Sequence, residues 1–120
     1  MEERKIAIVT GASRGIGRAT AVELAKAGYY VVVNYNSSEA AAAETLAQVQ
    51  AAGAQGEVQK FDVANADEVK EALTRIMGEH KRIDVLVNNA GVTADGLFLM
   101  MGEEESVSYT HLTLPTVYSV

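Results

Sequence analysis

The sequence predicts an α/β fold, laid out as the N-terminal half of a doubly wound parallel sheet with its strands in the order 3-2-1-4. Three observations carry that prediction. Four short apolar runs alternate with three longer segments of helical period. The connections between them are short, as right-handed crossovers between parallel strands require. Three of the runs are rich in Val and Ile without polar alternation, the pattern of strands covered on both faces. With 120 residues, 48% of them apolar, the chain suffices for one domain with one core.

The first strand is Lys5–Thr10 (KIAIVT), and a helix follows from Gly15, carrying Ile16, Thr20 and Leu24 four residues apart. Gly28 stops it, since glycine takes the left-handed conformation a helix end needs. The second strand is Tyr30–Tyr35 (YVVVNY); the helix after it begins behind Ser37 and Ser38, either of which can cap it, and runs through an alanine-rich stretch to Gly53. The third strand is Glu57–Phe61 (EVQKF). The third helix has Asn65 as N-cap with Glu68 three residues on, a variant capping box, then Val69, Ala72, Leu73, Ile76 and Met77 along one face. Ile83–Val87 (IDVLV) is the fourth strand.

The chemistry concentrates in Thr10-Gly11-Ala12-Ser13-Arg14-Gly15-Ile16-Gly17, directly after the first strand and at the start of a helix. Glycines let the backbone turn sharply and approach a pyrophosphate, whose charge then meets the unpaired N–H groups and positive dipole end of the helix. Strand before, helix after and a second crossover behind supply the context of a Rossmann-type dinucleotide site. A domain that prefers NAD places a carboxylate about 20 residues past the glycines, on the ribose 2′-hydroxyl. That region here reads Val33-Asn34-Tyr35-Asn36, without an acid. Neutral side chains with Arg14 accommodate a 2′-phosphate, so NADP(H) is the expected cofactor.

Composition excludes other classes. A net charge of −6 argues against a surface that neutralises nucleic-acid phosphates or anionic lipid. The absence of cysteine removes disulfides, thiol nucleophiles and Cys-based metal sites, and neither His80 nor His111 has metal partners by spacing. His80 is expected to be solvated at a helix end, and no metal is expected. With no leader pattern and no long apolar run, a soluble cytoplasmic protein is the expectation.

The glycines fall as G-x-x-x-G-x-G; with Asp62-Val63 after the third strand and Asn88-Asn89-Ala90-Gly91 after the fourth, the chain from Lys5 to about Glu105 resembles the short-chain dehydrogenase/reductase family. "VTGASRGIGRA" and "DVLVNNAGVTADGLFLMM" are most similar to its 3-oxoacyl-acyl-carrier-protein reductase branch. The resemblance implies that Gly11, Gly15 and Gly17 form the turn with Ile16, and that Ser13 and Arg14 face the adenosine ribose and its phosphate. Asp62 and Val63 would meet the adenine, and Asn89, Ala90 and Gly91 would line the cofactor path. Asp62 as a mere turn cap and the asparagine pair as a polar strand end remain open. Asn34 joins the expected cofactor residues through its place at the acid-free end of the second strand.

The implied activity is NADPH-dependent reduction of a 3-oxoacyl thioester, linked to acyl-carrier protein or CoA, within fatty-acid synthesis, by a homotetramer. Acetoacetyl-CoA reductase, polyol or sugar dehydrogenase, and a nucleotide-binding module without turnover are the alternatives. Family catalysis uses a tyrosine with a lysine four residues later, because a phenol of ordinary pKa donates poorly without a positive neighbour. Four residues after Tyr109 stands Thr113, and no lysine or arginine follows Arg82, so no catalytic residue is assigned. From Ser106 the segment SVSYTHLTLPTVYSV loses helical period; part of it resembles one reading frame of a sequencing-library adapter. Residues 1–105 are therefore expected to form an NADP(H)-binding half-domain, residues 106–120 a non-native or disordered tail, and the fourth strand an uncovered apolar edge.

Overall fold

The computed structural model describes residues 4–89 and the backbone of residues 116–119. The elements run β1 (Ile6–Val9), α1 (Gly15–Lys26), β2 (Tyr30–Tyr35), α2 (Glu39–Ala51), β3 (Gly56–Lys60), α3 (Ala66–His80), β4 (Val85–Asn88) and β5 (Thr116–Ser119). Every pairing is parallel, and the sheet order is β3-β2-β1-β4-β5. The first four strands stand in the order the alternation implies.

The boundaries shift by one or two residues where side chains intervene. Asp84 delays β4: its carboxylate accepts the Ile6 N–H at 2.8 Å and is gripped by Arg82 at 2.7 and 2.9 Å. Phe61 and Ile83 lie just outside their strands and are buried all the same. Helix starts follow their caps. Ser38 Oγ accepts the Ala41 N–H at 3.4 Å, which settles the choice between Ser37 and Ser38. Asn65 Oδ1 accepts from the Asp67 and Glu68 amides at 3.0 and 3.2 Å, and Glu68 Oε2 accepts from Asn65 Nδ2 at 3.3 Å, closing the expected box at side-chain level. Gly28, at φ 96°, follows the end of α1 as its sequence position requires.

Strand alternation divides the core between the two faces of the sheet. Ile6, Ile8, Val32 and Leu86 point to one face, where Val69, Ala72, Leu73, Ile76 and Met77 of α3 cover them. Ala7, Val9, Val31, Val33, Val85 and Val87 point to the other, against Ala21 and Ala25 of α1 and Ala42 and Val49 of α2. The small residues on that second face let both helices approach the sheet closely.

The expectation of a bare β4 edge is corrected. Residues 116–119 lie parallel beside β4, with Val85 opposite Thr116 and Asn88 opposite Ser119, so the edge passes outward to β5. The sequence there is Thr-Val-Tyr-Ser, β-branched and aromatic residues that suit a pleated strand. Among the described residues no helix is long and apolar enough to cross a membrane.

Candidate functional site

The site forms at the carboxyl ends of β1, β2 and β4. From β1 the sheet continues to β2 on one side and to β4 on the other, so β1 and β4 flank the point where strand order reverses. Crevices at that point are where open α/β sheets bind ligands.

Gly11 and Gly15 turn the chain with φ of 62° and 63°, a region in which a side chain is strained. The turn is fastened to β4 by Thr10, whose hydroxyl donates to the Val87 carbonyl at 3.2 Å and accepts the Asn89 N–H at 2.9 Å. Asn89 Nδ2 in turn donates to the Gly11 carbonyl at 3.1 Å. Gly17 has a different reason to be glycine. A Cβ there would run into the Gly11 carbonyl and stand 2.6 Å from Asn89 Nδ2. The first turn of α1 therefore lies directly on the loop.

The start of that helix is left open. Arg14, its N-cap, is extended at φ −162° and ψ 175° and offers no side-chain cap, and the first turn carries no acid. The unpaired N–H groups and dipole of α1 thus face outward uncompensated, beside exposed Arg14, Gly15 and Ile16 and half-buried Ser13. Open donors together with a cradle that a Cβ would fill fit a dinucleotide pyrophosphate.

Other expected residues take less direct places. Asn34 is 2% exposed, and its amide is committed to the chain. Its Oδ1 accepts the Gly11 N–H at 3.0 Å, its Nδ2 donates to the Phe61 carbonyl at 3.0 Å, and its own carbonyl accepts the Ala12 N–H at 2.9 Å. Asn34 therefore holds the glycine loop to β2 and β3 rather than presenting its side chain to a ligand. Asp62 Oδ1 accepts the Ala64 N–H at 2.9 Å, the turn-forming role left open for it, while Glu68 takes the Asp62 N–H at 2.9 Å. The Val63 side chain is in the core against α3. Ala90 and Gly91, like Tyr109 and His111, lie outside the described residues.

Two supports went unforeseen. Thr45, fully buried on α2, donates its hydroxyl to the Ala12 carbonyl at 2.8 Å and accepts Arg18 Nε at 2.9 Å. Arg18 Nη2 donates to the Ser13 carbonyl at 2.7 Å and to the Ala41 carbonyl at 3.0 Å, and pairs with Glu44 at 3.2 Å. A lone threonine inside an alanine-rich helix was the available signal.

His80 is a correction. It turns beneath the opposite end of the sheet instead of into solvent: Nε2 lies 3.1 Å from Glu57 Oε1, and its ring centroid is 4.6 Å from that of Tyr30. Tyr30 donates to the same carboxylate oxygen at 2.7 Å. Burial works to raise the Glu57 carboxyl, but hydrogen bonds from Gln59, Tyr30 and His80 outweigh it and hold the group below its ordinary value. Burial, then the bond to Glu57, pushes the Tyr30 phenol up. Glu79 brings a third possible ligand within 4.8 Å of Glu57 and His80, which spacing alone had not suggested. The pairing of His80 with Glu57 and the Tyr30 bond account for the packing of the two inner groups.

The family model described as short chain dehydrogenase matches residues 5–120, a span that runs past Glu105. The 3-oxoacyl-[acyl-carrier-protein] reductase of Synechocystis sp. is 46% identical over 114 residues, 95% of this chain and 46% of that protein. The reductase FabG of Staphylococcus epidermidis is 46% identical over 101 residues, 84% of this chain and 41% of that protein. The chain thus spans less than half the length of these curated relatives. Among solved structures, a metagenomic short-chain oxidoreductase in complex with NADP superposes with a TM-score of 0.69 at 40% identity, covering 73% of this chain and 39% of its own. The promiscuous reductase LugOII, which catalyses keto-reduction at C1 during lugdunomycin biosynthesis, gives 0.66 at 44% identity, covering 77% and 41%.

Proposed function

This chain belongs to the short chain dehydrogenase family, and from that premise we propose that it supplies the NADP(H)-binding portion of a reductase acting on 3-oxoacyl thioesters. The cofactor half of this reading rests on one observation: the uncapped first turn of α1 lies beside a β2 end that holds no carboxylate. A carboxylate there would repel a 2′-phosphate; the exposed Arg14 guanidinium attracts one. The structural relative with bound NADP supports the same choice. The thioester half rests on the 46% identity to 3-oxoacyl-[acyl-carrier-protein] reductases. A cytoplasmic, homotetrameric enzyme of fatty-acid synthesis is the finer form of the proposal.

In this reading the bound cofactor supplies the hydride. The chain's part is to bind and orient. Gly11, Gly15 and Gly17 bring backbone amides up to the pyrophosphate, with Ile16 exposed beside it. Arg14 and Ser13 face the phosphorylated ribose, the backbone at Asp62 and Val63 borders the adenine, and Asn89, followed by Ala90 and Gly91, borders the cofactor path from β4. No lysine or arginine follows Arg82 in these 120 residues, so Tyr109 has no lysine four residues on to acidify its phenol. The 120-residue chain alone is therefore proposed to bind cofactor without reducing a ketone.

The test is the affinity of the chain for NADPH and NADH, read by nicotinamide fluorescence, in the wild type and in Arg14→Ala. The expected result is at least about tenfold preference for NADPH, falling several-fold in the variant, the scale of one charge-assisted contact. Equal affinity for both cofactors in both proteins would refute the assignment.

A further inference from the structure

The peptide planes of the glycine loop are held from behind. A trans peptide directs its carbonyl and the following N–H in opposite directions, and among the described residues no peptide is cis. The Ala12 carbonyl turns inward to the Thr45 hydroxyl at 2.8 Å, so the Ser13 N–H turns away from α2. The Ser13 carbonyl turns inward to Arg18 Nη2 at 2.7 Å, so the Arg14 N–H turns away as well. Neither amide donates to an acceptor among the described residues.

These two amides sit at the β2 side of the site. Ala12 is bonded to the Asn34 backbone at the end of β2, and Thr45 belongs to the helix that follows β2. In a dinucleotide fold the end of the second strand meets the ribose 2′ position, whereas the helix start meets the pyrophosphate. We infer that Thr45 and Arg18 are positioning residues for the 2′-phosphate, acting through the Ala12 and Ser13 carbonyls to aim the Ser13 and Arg14 amides at it.

The chain of bonds is well defined. Thr45 has one hydroxyl proton; the Ala12 carbonyl is its shortest acceptor, and Arg18 Nε fills its lone pair at 2.9 Å. Arg18 bridges onward to the Ala41 carbonyl and to Glu44. Glu44 is 71% exposed, so that ion pair adds little, and the force of the arrangement lies in the buried hydroxyl and the two loop carbonyls. Without them the two planes are free to rotate, and the amides lose their common aim.

The inference rests on the NADP(H) reading, and its experiment separates the two. Dissociation constants for NADPH and NADH are measured on the chain carrying Thr45→Val, Thr45→Ser or Arg18→Gln, with urea unfolding of each without cofactor. Thr45→Val is expected to weaken NADPH about tenfold and NADH less than about threefold, as expected for misaimed donors to one phosphate. Thr45→Ser, which keeps the hydroxyl, restores the wild-type ratio. Lower stability with an unchanged NADPH-to-NADH ratio would mean that the pair is structural only and overturn the inference. A wild type that binds neither cofactor overturns the functional reading, and this one with it. Should Thr45→Val fail to fold, Arg18→Gln carries the same ratio test from a partly exposed side chain, and an unchanged ratio there overturns the inference equally.

Discussion

Replacing Gly17 with alanine puts the close approach of α1 to the glycine loop to a test in which the sign alone is informative. In an ordinary helix interior, glycine to alanine stabilises by about 0.5–1 kcal/mol, because alanine loses less backbone entropy. At Gly17 the new Cβ meets the Gly11 carbonyl and stands 2.6 Å from Asn89 Nδ2, both parts of the loop that α1 rests on. Relieving the overlap costs about 1–3 kcal/mol on the scale of an overpacked core. If Asn89 gives way, its 3.1 Å bond to the Gly11 carbonyl goes with it, for about 1 kcal/mol more. The net expectation is destabilisation by about 1–3 kcal/mol, a fall in melting temperature of about 4 °C per kcal/mol, together with weakened nucleotide binding. Gly78 supplies the internal control. It too is helical, nothing lies within 4 Å of a Cβ built on it, and Gly78→Ala is expected to stabilise. Urea midpoints for the two variants and the wild type make the comparison. If Gly17→Ala proves as stable as Gly78→Ala and still binds nucleotide, the close approach does not hold the site together.

Replacing Asn34 with leucine strips the loop and the Phe61 carbonyl of buried partners, and a loss of about 2–4 kcal/mol in urea unfolding is expected. Glu57 and Asp84 are both held below their ordinary values against the opposing effect of burial. The stability they contribute is present above their unfolded values near pH 4 and is lost as pH falls through the folded ones. Denaturation midpoints between pH 7 and pH 3 should therefore drop, and drop less in Glu57→Gln combined with Asp84→Asn; equal slopes would count against both assignments. The Tyr30 phenol is raised, so its contribution is present below about pH 10 and lost as pH climbs above it; Tyr30→Phe should flatten that alkaline limb of the midpoint curve. A chain ended at residue 105 retains every described residue proposed to hold the cofactor and is expected to bind NADPH as the longer one does. Light scattering should show it more prone to associate, because β4 loses its outer neighbour.

What could be read from the sequence follows from how local each signal is. The Val- and Ile-rich runs marked β1, β2 and β4 because a strand covered on both faces must be apolar throughout, whereas β3, half-buried at an edge, was the weakest of the four. The Asn65 box fixed the start of α3 because donors and acceptor all lie within three residues. His80 was misplaced because its partner Glu57 is 23 residues away, and nothing near His80 announces it. For β5 the propensity was visible, but the partner was not: a strand exists only with its neighbour, and β4 is distant in the chain.

The candidate site divides along the same line, and for a physical reason. Groups that face an anion must be left unpaired, so they show themselves locally, as glycines where the chain turns and as a helix start without a capping side chain. Groups that hold those donors in place must satisfy the opposite ends of the same peptides, and those ends point into the protein. Their partners therefore come from wherever the fold brings a neighbour: Asn34 is 23 residues from Gly11, and Thr45 is 33 from Ala12. The parity of β2 does place Asn34 on the same face as buried Val32. A buried asparagine is stable only if its amide is spent on the chain, and that requirement turns a residue expected to touch the cofactor into one that shapes the glycine loop.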